Sequence, residues 1–118
     1  MFLNFTLPNN GVGYIVDGVM DAQALHYLRD EIIYLFREHE RLNIYLEDGG
    51  VTYFSFSSMW ITTLFPHKHR GKIGMAAMVT DRRWIRIICQ CNNWFTKVKI
   101  RTFRIAERQQ AIEWISGL

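Results

Sequence analysis

The 118-residue sequence predicts a single α/β domain: a mostly parallel five-stranded sheet with an antiparallel N-terminal strand and four helices, in the order β-β-α-β-α-β-α-β-α. Three features lead there. Runs of strand length alternate with segments of helical period, the pattern of parallel strands joined by right-handed crossover helices. The turn-forming Pro8-Asn9-Asn10-Gly11 separates the first two strands, so the first runs antiparallel to the second. Ile73 to Val79 is nearly continuous and apolar, as expected of a central strand buried on both faces.

The elements follow in order. Leu3, Phe5 and Leu7 alternate with Asn4 and Thr6 as in a half-buried strand, and Val12 to Val19 supplies its hairpin partner. Asp21 suits an N-cap, since its carboxylate can accept an orphan backbone N–H. Leu25, Leu28, Ile32, Leu35 and Phe36 recur at three- and four-residue steps, predicting an amphipathic helix to about His39. Leu42 to Leu46 reads as a short strand that Glu47-Asp48-Gly49-Gly50 breaks. Ser55 or Ser57 starts a second helix reaching about Phe65, ended by Pro66-His67-Lys68-His69. After Ile73–Val79, Thr80-Asp81 is expected to cap a third helix, roughly Arg82 to Phe95. Val98 to Phe103 places Lys97, Lys99 and Arg101 in alternation with apolar residues, which suits an edge strand with one solvated face. Glu107 to Ile115 forms the last helix, with Ala111, Ile112 and Ile115 inward and Gly117 near its end.

The net charge of +3 hides a lopsided distribution. Residues 1–66 hold three Arg and eight acids, a net −5, whereas residues 67–104 hold ten Lys/Arg and one acid, a net +9. Such a basic stretch suits an anionic membrane surface, nucleic acid or an acidic protein. The longest apolar stretches fall far short of the roughly 18–20 residues that span a bilayer. The start, Met-Phe-Leu-Asn, has no basic region before an apolar run. The expectation is a cytoplasmic chain, peripheral at most to the inner face of the membrane. Cys89 and Cys91 lie two apart on a predicted helix and so face different sides, which disfavours both a disulfide and a zinc site.

Catalytic signatures are weak. There is no G-x-S-x-G, no P-loop, and Gly11-x-Gly13 lacks the third glycine of a dinucleotide fingerprint. His67 and His69 flank Lys68, and neighbouring cations oppose a metal there. No cofactor and no enzymatic activity are expected.

The stretch Lys72-Ile73-Gly74-Met75-Ala76-Ala77-Met78-Val79-Thr80-Asp81-Arg82-Arg83-Trp84-Ile85 resembles the SpoIIAA-like family of the STAS superfamily, in which a buried strand ends in "VTD-x-x-W" before a helix. The resemblance continues through Val98 to Arg104 and Ala111 to Trp114. It implies a STAS-type fold, also likened to the CRAL-TRIO lipid-binding fold, and no enzymatic activity. Ser55-Phe56-Ser57-Ser58-Met59 lacks the Asp and Gly of the Asp-x-Ser-(Ser/Ala)-Gly phosphoserine motif, so that switch is not carried over. For the SpoIIAA-like branch the resemblance implies an apolar pocket near the second and third helices and an association with membranes or lipid-like ligands.

The second and third predicted helices, Ser57–Phe65 and Arg82–Phe95, combine aromatic and basic residues. Trp60, Ile61, Leu64 and Phe65 join Arg82, Arg83, Trp84, Ile87 and Trp94 as a ligand- or membrane-binding surface: apolar volume for a tail, cations for an anionic head. The main expectation is a non-enzymatic module that binds an apolar or lipid-like ligand or docks on an anionic membrane. The alternative is a regulatory protein–protein module akin to an anti-sigma factor antagonist. A homodimer face would also use surplus apolar surface. Nucleic-acid binding ranks last, since no recognised motif supports it.

Overall fold

The computed structural model describes residues 2–38, 41–54, 73–92 and 99–117. Five strands form one sheet in chain order: β1 (Phe2–Leu7), β2 (Gly11–Met20), β3 (Leu42–Phe54), β4 (Ile73–Val79) and β5 (Lys99–Phe103). β1 pairs antiparallel to β2, and the remaining pairs are parallel, as the sequence predicts. The helices are α1 (Ala22–Phe36), α2 (Arg83–Asn92) and α3 (Arg108–Ser116), the last preceded by a 3-10 turn, Ile105–Glu107. The predicted helix Ser57–Phe65 lies outside the described residues.

Strand parity sorts the core into two faces. Val12, Tyr14, Val16, Leu42 and Ile44 pack with Leu28 and Ile32 of α1 on one face. Tyr45, Ala77, Val79 and Phe103 pack with Ala111 and Ile115 of α3 on the other. The sheet is therefore sandwiched, and each residue step along β3 switches a side chain between the two cores. Asp21 caps α1 as expected, accepting the Ala24 N–H at 2.9 Å. Gly117, at φ 74°, closes α3 in the left-handed conformation.

The hairpin forms as expected, with Asn9 and Asn10 left-handed (φ 62° and 56°), a conformation asparagine tolerates. Two expectations change. β4 is internal rather than central: with strands ordered as in the chain, the middle place falls to β3. β3 itself does not stop at Leu46. It runs through Glu47-Asp48-Gly49-Gly50 to Phe54, because the glycines form an irregularity and not an end. The β2–β3 register shifts around Gly18 (φ 68°), which pairs with Val51 next to Gly50 (φ 126°). Two opposed glycines absorb the kink, and pairing resumes at Val19–Tyr53 and Met20–Phe54.

Candidate docking site

In open α/β sheets the carboxyl ends of the parallel strands are where loops and helix starts gather around a ligand. Here that rim holds two charged clusters, one per face. Asp48 sits on the α1 face with its side chain only 8% exposed. Its Oδ1 accepts the N–H groups of Gly50 and Val51 at 3.1 and 3.0 Å, so the carboxylate organises the glycine turn. Its Oδ2 accepts the Thr80 hydroxyl at 2.9 Å and Arg82 Nε at 2.7 Å. The Arg82 guanidinium also donates to the Val51 carbonyl, and the Arg82 N–H donates to Thr80 Oγ1. Burial alone would raise the Asp48 pKa, but the donors from Val51, Gly50, Thr80 and Arg82 outweigh it and hold the group below the usual carboxylate value. Asp48 is thus an ionised anchor between β3 and the start of α2.

Glu47, the preceding residue, points to the α3 face and is 3% exposed. Its Oε1 accepts the Tyr45 hydroxyl at 2.5 Å, and its Oε2 accepts Arg108 Nη2 at 2.8 Å. Burial raises the Tyr45 pKa, and the hydrogen bond to Glu47 and its negative charge raise it further, so the phenol stays neutral and donating. Neither cluster contains a free base next to a nucleophile. Both fasten helices to the strand. Among the described residues no group of His, Cys, Asp and Glu is arranged to hold a metal.

The structure divides the predicted binding residues. Arg82 is committed to Asp48 and Val51. Arg83, Trp84 and Ile87 lie on exposed parts of α2, with Trp84 38% and Ile87 52% exposed, while Ile85 turns inward. Spacing of three and four residues puts Arg83, Trp84 and Ile87 on one flank of the helix. Trp60, Ile61, Leu64, Phe65 and Trp94 lie outside the described residues, as do His67 and His69.

The expected cap at Thr80-Asp81 is corrected. α2 begins at Arg83, so Asp81 stands one residue too early to reach its first N–H groups. Asp81 Oδ1 instead accepts the Ile105 N–H at 3.1 Å, tying the end of β4 to the start of the 3-10 turn. The residues that the sequence reading missed are Tyr45, Glu47, Asp48 and Arg108. One signal was present: beyond the supposed stop, Val51 and Tyr53 are strand-favouring residues.

With this geometry in place, comparisons with known proteins agree on the fold. The SpoIIAA-like family profile matches residues 12–116. No curated protein matches the sequence. An uncharacterised DUF3478-family protein from Shewanella loihica with a SpoIIAA-like fold superposes with a TM-score of 0.74 at 11% identity, covering 98% of this chain and 92% of that one. The unphosphorylated anti-sigma factor antagonist SpoIIAA matches with a TM-score of 0.71 at 13% identity over 100% of both chains. Phosphorylated SpoIIAA, a Bacillus cell fate determinant, matches with a TM-score of 0.64 at 11% identity, covering 95% of this chain and 99% of that one.

Proposed function

The chain belongs to the SpoIIAA-like family, and from that premise we propose that it is a non-enzymatic docking module whose α2 flank meets an anionic, lipid-like surface. The observation that carries this reading is the exposure of Trp84 and Ile87 beside Arg83, next to an arginine, Arg82, that is spoken for. An exposed tryptophan and isoleucine on a charged helix suit the depth of lipid headgroups, and a neighbouring guanidinium suits their phosphates. No described helix is long and apolar enough to cross a membrane, so the contact in this reading is peripheral.

Flotation with phosphatidylglycerol and phosphatidylcholine vesicles tests it. The protein should float with the anionic vesicles, release as salt rises, and ignore the neutral ones. Arg83→Glu should abolish flotation without loss of thermal stability. Trp84→Ser with Ile87→Ser should do so at any salt. Arg82→Glu is the wrong probe, because it would place a carboxylate against Asp48 and unfold the junction. If the wild-type protein ignores anionic vesicles at low salt, the reading fails. A regulatory protein partner then becomes the better account, supported by the full-length match to SpoIIAA, an anti-sigma factor antagonist.

A further inference from the structure

Strand order equals chain order here, so the charge asymmetry of the sequence becomes an asymmetry in space. The acidic first part of the chain supplies β1, β2 and α1 at one side of the sheet. The basic part supplies β4, α2 and β5 at the other. Among the described residues no strand pairs with the outer edge of β1 or of β5.

The two edges are complementary. Beside β1, a groove against α1 is lined by Leu3, Asn4, Asp21, Ala24, Tyr27 and Glu31. Tyr27 of the groove is open to water at 65% exposure, while the Leu3 side chain, in step with Phe5 and Leu7, leaves β1 on the α3 face. The groove carboxylate Glu31 is braced by the Asn4 amide at 2.7 Å. On the β5 edge, Lys99 and Arg101 are exposed and project on the α3 face. Trp114 steadies both, each cation lying 5.9 Å from its ring, and Arg101 lies 5.0 Å from the Phe103 ring.

We propose that this chain associates with a second copy of itself head to tail, the basic β5 edge of one copy seated on the β1–α1 groove of the next. Lys99 and Arg101 meet the groove carboxylates, and Tyr27 is covered. Like charges oppose the symmetric alternatives, β5 on β5 and groove on groove. Because Lys99 and Arg101 project on the α3 face while the groove lies on the α1 side, alternate copies are turned over about the axis that runs across the strands. β1 then runs parallel to the neighbouring β5. Such a contact is heterologous, so it does not close at two copies.

Sedimentation velocity of the intact chain, without lipid, tests this apart from the vesicle reading. At low salt the mean mass should rise past that of a dimer with concentration, and high salt should reverse it. An edge variant, Lys99→Gln with Arg101→Gln, and a groove variant, Tyr27→Ser with Glu31→Gln, should each associate at least about tenfold more weakly. Both pairs of positions are exposed or half-buried, and unchanged circular dichroism and Tm would show that the variants fold. Mixing the two should restore a complex of two copies and nothing larger, because one live groove and one live edge remain. A wild-type protein that stays monomeric at every concentration in low salt overturns the proposal. So do variants that associate like the wild type, or a mixture that stays monomeric.

Discussion

Glu47 and Asp48 are neighbours on one strand, buried to similar degrees and each paired with an arginine, yet they are held in different ways. Asp48 collects four donors besides being close to a turn it organises: two backbone N–H groups, a hydroxyl and a guanidinium. Glu47 has two, the Tyr45 phenol and the Arg108 guanidinium, and the Arg108 side chain is 52% exposed. The Asp48 cluster shapes the backbone, whereas the Glu47 cluster only joins finished elements. Loss of Asp48 should therefore disturb the β3 kink and the start of α2 together. Loss of a Glu47 partner should loosen α3 alone.

The largest effect is expected at Asp48. Asp48→Ala strands the Gly50 and Val51 N–H groups, the Thr80 hydroxyl and Arg82 at once. The loss should be about 2–4 kcal/mol in urea denaturation, less than a fully buried pair would give because Arg82 keeps some access to water. Hydrogen exchange should speed up at both Val51 and the first turn of α2. Exchange that changes only in β3 would break the view that this carboxylate links the two.

On the other face, Tyr45→Phe keeps the ring in the α3 core and removes one donor from Glu47. A hydrogen bond to a charged group contributes about 1.5–3 kcal/mol, so the loss should be of that size and smaller than for Asp48→Ala. Exchange should rise in α3 and not at the glycine turn. An equal or larger loss than at Asp48 would invert the comparison.

Acid probes the Asp48 cluster. The Asp48 pKa is lowered in the folded chain, so the unfolded chain binds a proton first as pH falls. The stability from its ionised form is complete above the ordinary carboxylate value of about 4 and is lost as pH drops through the lower, folded value. Denaturation profiles of the wild type should steepen there. Asp48→Asn should be less stable at neutral pH and should lose less on acidification. An unchanged acid limb in that variant would mean that other carboxylates set it.

The different constructions of these clusters also explain how legible they are in the sequence. Periodicity marks β1, β5, α1 and α3, because each buries one repeating face, the turn signal marks β2 as the partner of β1, and an unbroken apolar run marks β4. The resemblance around Val79-Thr80-Asp81 identifies the family, and the charge count separates the two sides of the sheet. Asp48 escaped because Gly49-Gly50 reads locally as a stop, and only the resumed pairing of Val51 with Gly18 shows it to be a kink. Arg82 was read as a free cation for the same reason: its partner lies 34 residues away on a stretch of strand that the turn signal concealed. Arg83, Trp84 and Ile87 were legible as a surface, since exposed apolar residues on a basic helix need no distant partner to be noticed.

The smallest expected effect lies at Asp81, the second tether of the α3 side. Its Oδ1 accepts the Ile105 N–H, while Glu107 Oε1 accepts the Arg104 N–H at 2.9 Å in the same junction. Asp81 is exposed, and water can replace it as the acceptor for Ile105. Asp81→Ala should therefore lower stability by only about 0.5–1.5 kcal/mol, the net contribution of an ordinary hydrogen bond. Combined with Tyr45→Phe, its effect should exceed the sum of the two single losses, because both changes free the start of α3 and each leaves the other tether to compensate. Combined with Asp48→Ala it should also depart from additivity, because Asp81 stands between Thr80 and Arg82, the two residues that Asp48 holds. A double-mutant cycle in urea reads both couplings. Strict additivity of Asp81 with Asp48 would show that the two faces of β3 work as separate fastenings.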